Sequence, residues 1–125
     1  MYEHDDKINS FVNLTAWKVG HELVISIYNE TDKFPTKEKY SLIDQIRRAS
    51  VSITSNLAEG FGRSSTKDKL RFYDIARGSL IEVQNQLLIA RDINYINSEQ
   101  FNQLGMLSVR VHKLINALIK SLRTA

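Results

Sequence analysis

The chain contains no cysteine, which excludes disulfides, thiolate metal sites and cysteine nucleophiles. Proline occurs once, at Pro35, so little along the chain forbids long helices. No apolar run approaches the roughly 20 residues that span a bilayer, and no membrane partner is expected. The opening MYEHDDKINS is polar and acidic, without the basic-then-apolar layout of a signal peptide, which makes a cytoplasmic location the expectation. Repeats, low-complexity tracts and strand-like alternation are missing as well. What remains is 125 residues, suited to one domain with its own core.

The formal net charge is only +3, but it is unevenly spread. Residues 1–40 carry five basic against seven acidic side chains, and residues 41–125 carry twelve against seven. After Glu99 come Arg110, Lys113, Lys120 and Arg123 with no acid among them. This asymmetry suits a polyanion partner, and it suits a solvated helix face equally well.

Four segments repeat apolar residues at helical period, over about 13–31, 37–61, 65–93 and 97–123. The first places Leu14, Trp17, Gly20, Val24, Ile27 and Tyr28 on one stripe, and DKFPT closes it at Pro35. The second has Leu42, Ile43, Ile46, Ala49, Ser50, Ile53, Leu57 and Gly60 inside, with Thr36 and Ser41 as alternative caps and Asp44 at capping-box spacing from Ser41. GFGRSS follows, where glycines suit left-handed backbone, and Ser65 stands three before Asp68. The third carries Tyr73, Ala76, Leu80, Val83, Leu87 and Ala90, and stops near Asn94. Asn97 with Gln100 forms a capping box for the fourth, stapled by Ile96 and Phe101, with Leu104, Ser108, Val111, Ile115, Leu118 and Leu122 inside. Short links between such helices predict an all-α, antiparallel up-down-up-down four-helix bundle over residues 13–125, preceded by a flexible segment, 1–12. Val51, Phe72, Ile75, Ile81, Leu88 and Ile89 lie off the inner stripes, the pattern expected of a wide core or of a second subunit.

Chemistry finds little support. A di-iron bundle needs Glu-x-x-His pairs, but three residues beyond Glu22, Glu59, Glu82 and Glu99 stand Ile25, Gly62, Asn85 and Asn102. His4, His21 and His112 make no i, i+4 ligand pair, so no metal and no cofactor is expected. Ser50, Ser52 and Ser55 lack a nucleophile elbow, and GFGRSST lacks the lysine of a phosphate loop. Glu59 as a base with Asn56 as positioner has no second catalytic group, and its pairing with Arg63 or Arg77 is the more economical reading. No catalytic residue is therefore assigned, and a non-enzyme is expected. Small residues at Ala49, Ser50, Ala58 and Gly60 predict close helix approach, with serines bonding back to carbonyls four residues earlier. Candidate nucleic-acid contacts are Arg47, Arg48, Arg63, Lys67, Lys69, Arg71, Arg110 and Lys113; salt bridges to Asp44 and similar acids are the alternative.

The strings Phe11-x-x-Leu14-x-x-Trp17-Lys18, Phe34-Pro35, Gln45-Ile46-Arg47-Arg48-Ala49, Ser52-Ile53, Asn56-x-Ala58-Glu59-Gly60 and Ala76-x-Gly78-Ser79-x-x-Glu82 carry a resemblance. Over residues 11–123 the chain resembles four-helix-bundle proteins encoded in bacterial 23S ribosomal RNA intervening sequences, and is similar to the accessory variability proteins of diversity-generating retroelements. The resemblance implies a homo-oligomer, commonly a pentamer, in a bacterial, ribosome-associated setting. It further implies RNA or DNA binding through basic surfaces, and a reverse transcriptase or other protein as partner. It brings no catalytic residues. It marks Gln45, Asn56, Glu59, Gly60, Gly78, Ser79 and Glu82 as structural, with Gly78-Ser79 for close helix approach. A protein-interaction scaffold without nucleic-acid binding is the alternative.

Overall fold

The computed structural model describes residue 8 and residues 10–124. Helices α1 (Thr15–Thr31), α2 (Leu42–Phe61), α3 (Thr66–Asp92) and α4 (Ser98–Arg123) account for most of it, with 3-10 turns at Phe11–Asn13 and Thr36–Glu38. Each helix packs on two neighbours in the cyclic order α1, α2, α3, α4, and α2 with α3 form the most extensive pair. The register is antiparallel at each step. Thr54 of α2 lies by Gly20 of α1 while Arg47 reaches Thr31; Ser52 meets Ser79 while Gly60 meets Tyr73; Gln84 meets Ser108 while Arg77 meets Asn116. The fold is an all-α four-helix bundle, and no helix of the described residues is long and apolar enough to cross a membrane.

The inner stripes of α2 and α3 are those expected, with Thr54 and Gln86 buried in addition. The stripe of α1 is rotated: Ala16, Val19, Gly20, Leu23, Val24, Ile27 and Thr31 are buried, whereas Trp17 is half-buried and Tyr28 exposed. Both rings have other neighbours, since Trp17 stacks on His21 and Tyr28 lies under the Arg47 guanidinium. On α4 the last buried position is Ile119, with Leu118 and Leu122 only half-buried. A stripe of period 3.6 drifts off a strict heptad over seven turns.

Helix ends explain the connections. Asn97 and Gln100 make the expected reciprocal capping box, and Ser65 accepts from the Asp68 amide. Ser41 does not cap α2: its hydroxyl donates to Glu38, whose carboxylate instead accepts from the Leu42 amide at 3.4 Å. Thr36 does not cap it either; it begins a 3-10 turn after Pro35. No described glycine has left-handed backbone, so the corner GFGRSS turns with Gly62 in right-handed helical geometry. The left-handed residue is Asn94, at φ 65°, where the Tyr95 and Asn94 amides close on the Ala90 and Arg91 carbonyls as a Schellman motif. Of the segment expected to be flexible, residues 1–7 and 9 lie outside the described residues. Phe11 opens a 3-10 turn and sets its ring edge-on to Trp17.

Candidate nucleic-acid interface

The corner between α2 and α3 concentrates cations around aromatic rings. Gly60 makes the corner tight: a Cβ there would lie 2.7 Å from the Tyr73 ring, so only glycine lets α3 return so closely. The Lys69 ammonium donates to the Phe61 carbonyl at 2.7 Å and the Gly60 carbonyl at 3.3 Å, satisfying the end of α2, and stands 5.5 Å from the Phe61 ring centre. Arg63 pairs with Glu59 at 2.9 Å and lies over the Phe72 ring, which also carries Arg71. Lys67 is exposed beside them. A helix N-terminus favours acids, and Asp68 supplies one, so Lys67, Lys69 and Arg71 run against the dipole of α3. Lys69 has its structural reason in the α2 carbonyls. Lys67 and Arg71 form no ion pair among the described residues.

The antiparallel register brings the last turn of α4, with Lys120 and Arg123, to this same end of the bundle. Those two cations suit the C-terminal dipole of α4 and also lack ion pairs among the described residues. Sequence reading placed neither among the phosphate-binding candidates, although the acid-free stretch after Glu99 pointed at them.

The remaining candidates separate. Arg47 does not join a basic surface: it turns back to α1, donating to Thr31 Oγ1 at 2.9 Å, the Tyr28 carbonyl at 3.2 Å and Asp32 at 2.9 Å. It closes the C-terminus of α1, and Thr31, donating in turn to the Ile27 carbonyl, is buried beneath it. Arg48 pairs with Asp44 at i, i+4. Arg110 and Lys113 line an apolar groove between α3 and α4, with Leu88, Phe101, Met106 and Val109. Thus the eight candidates do not form one surface.

Of the residues read as structural, Asn56 and Ser79 come together at the α2–α3 seam, bridged by Ser52. The Asn56 amide donates to the Ser52 carbonyl at 2.8 Å and to its hydroxyl at 3.1 Å, and that hydroxyl meets Ser79 at 2.8 Å. Ser50 and Thr54 bond back three residues, not four, to Arg47 and Val51. Gln45 is exposed at the start of α2. Glu82 is exposed on α3 and accepts from the amide of buried Gln86, whose own oxygen is left without a partner. Gly78 does not mediate close approach inside the protomer, because nothing lies within 4 Å of its would-be Cβ. The tight glycine that sequence reading placed on a stripe without a role is Gly20, 3.2 Å from the Thr54 methyl.

The catalytic alternative loses its geometry. Glu59 is committed to Arg63 and Asn56 to Ser52, so the two do not converge. The hollow beside Glu59 is completed by Phe11, Ser55, Ala58, Gly62 and Arg63, none of them a second carboxylate or a histidine. Among the described residues, no three side chains of metal-ligating type come together. His21 stacks on Trp17, His112 is half-buried on α4, and His4 lies outside the described residues.

Residues 12–117 match the family model of the 23S rRNA-intervening sequence protein. Among solved structures, the bundle is similar to a protein of unknown function from the S23 ribosomal protein family of Bacteroides thetaiotaomicron. The TM-score is 0.79 at 24% identity, over 85% of this chain and 99% of that one. None of the curated proteins matches the chain. The helices, their order and most of their length lie inside the matched region, and the chain belongs to the 23S rRNA-intervening sequence protein family.

Proposed function

We propose that this protein is a self-associating, non-enzymatic bundle that binds nucleic acid through the cations its own carboxylates leave free. One observation carries the reading. Among the described residues, Arg47, Arg48, Arg63, Arg77 and Arg91 each hold an acid; of the cations that hold none, Lys67, Arg71, Lys120 and Arg123 share one end of the bundle, where Arg71 lies over the Phe72 ring. Cations without acids, gathered at one end, suit phosphate contacts, with RNA or DNA as the ligand. Repeating this end in an oligomer, a pentamer in the form the family resemblance implies, multiplies a weak patch into a continuous one. A ribosome-associated role and a cytoplasmic location accord with that ligand.

The test is fluorescence anisotropy with a labelled RNA hairpin and a labelled DNA duplex. Binding is expected to weaken steeply between about 50 and 200 mM salt, as counterion release requires. Joint Lys67→Ala and Arg71→Ala substitution is expected to weaken all sequences alike. It should also flatten the salt slope by about 0.9 for each phosphate no longer neutralised. Absence of binding at low salt would favour a protein-interaction scaffold instead.

A further inference from the structure

The α3–α4 groove and the outer ridge of α3 have complementary characters on opposite flanks of one helix. The groove has an apolar floor, including Leu88, Met106 and Val109, and Arg110 and Lys113 at one end. Met106 is 74% exposed, and neither cation forms an ion pair among the described residues. Ile75, Glu82 and Ile89 stand seven residues apart on α3, on the side away from that groove, and all three are exposed. Glu82 holds only the Gln86 amide, with no cation among the described residues. Gly78 lies on the same ridge with open space above it, so another backbone can come close there.

We infer that the Ile75–Glu82–Ile89 ridge of one copy seats in the α3–α4 groove of a second copy, with Glu82 meeting Arg110 and Lys113. This rests on the self-association proposed above and names the surface that performs it. The occupant is a second copy because the chain itself carries both halves: an acid between two isoleucines, and two bases beside an apolar floor. With Glu82 at the basic end, an isoleucine about 10 Å away along the ridge falls on the apolar floor, which runs about 16 Å from Asn102 to Lys113 at 1.5 Å per residue. Because ridge and groove lie on opposite flanks of α3, one copy can seat in a second while offering its own groove to a third, a head-to-tail contact that forms a ring where its rotation closes. It also removes Arg110 and Lys113 from the nucleic-acid surface and gives Gly78 and Glu82 a shared task.

Light scattering on the full chain reads the outcome. Glu82→Arg and Arg110→Glu are each expected to lower the assembly mass, with dissociation shifted by about tenfold or more, since like charges then face each other. Circular dichroism checks that each variant keeps its helices, and Glu82→Gln, which retains an acceptor for Gln86, is expected to weaken assembly less. The double variant, Glu82→Arg with Arg110→Glu, is expected to restore the mass. Because the chain has no cysteine, Glu82→Cys with Arg110→Cys offers a second measurement, in which oxidation should give a ladder ending at the ring number. A monomeric wild-type protein would sink both this contact and the self-association. An oligomeric wild type that ignores the single reversals, or a double variant that stays dissociated, would overturn this surface alone.

Discussion

At the scale of single residues, the unusual side chains of α2 act mainly through packing. Gly60 is the clearest case: its missing Cβ is the space that Tyr73 occupies, with Phe72 Cβ 3.0 Å away. Gly60→Ala gains helix propensity of about 1 kcal/mol but forces the buried Tyr73 ring to move. Overpacking of this kind costs about 1–3 kcal/mol, so a net loss of stability is expected, measured as a lower urea midpoint with unchanged slope. A Gly60→Ala variant as stable as wild type would show that the corner has slack. The identity and place of Gly60 were legible from its run after Ala58-Glu59, whereas the role of Arg47 was not. Two adjacent arginines look alike in sequence. A difference of about 100° around the helix sends Arg47 to the α1 terminus and leaves Arg48 with Asp44 in solvent.

At the scale of elements, the connection before α2 is tied to the connection before α4. Tyr95 donates its hydroxyl to Glu38 at 2.8 Å, and its ring packs on Phe34, 5.3 Å between centres. Hydrogen bonds from the Ser41 and Tyr95 hydroxyls hold the Glu38 carboxyl below its usual range, and the same bond to Glu38 pushes the Tyr95 phenol up. A depressed carboxyl contributes stability above its unfolded value and loses it as pH falls through the folded one. A raised phenol contributes below its unfolded value and loses it as pH rises through the folded one. Tyr95→Phe is therefore expected to lower Tm most near neutral pH. The difference from wild type should shrink as pH falls below about 4, in the ordinary glutamate range and under it. A difference independent of pH would assign the effect to the ring alone. Helix positions and the Asn97–Gln100 cap were readable because each depends on residues within one turn. The Glu38–Tyr95 tie was not, because its partners are separated by all of α2 and α3.

At the scale of the whole molecule, assembly and ligand binding are linked if one copy carries too few free cations. The basic end holds Lys67, Arg71, Lys120 and Arg123, against a formal net charge of only +3 for the whole chain. Linking several such ends raises avidity without any new contact. An assembly-deficient variant such as Arg110→Glu is expected to bind the labelled hairpin more weakly than wild type and with a shallower salt dependence. Equal affinity from a dissociated protomer would show that one copy suffices.

What the sequence determined alone was the architecture: no cysteine, one proline, and four apolar stripes at helical period, separated by capping residues, admit little besides a four-helix bundle. Those signals are local, because helix formation and capping involve residues one to four apart. Tertiary structure decided which way each charged side chain turns. Ion pairing depends on a few ångströms between helices, which no spacing within one helix records. That is why one of two adjacent arginines closes α1, why Gly78 stands open, and why Lys67, Arg71, Lys120 and Arg123, far apart in sequence, share the end where α3 begins and α4 ends.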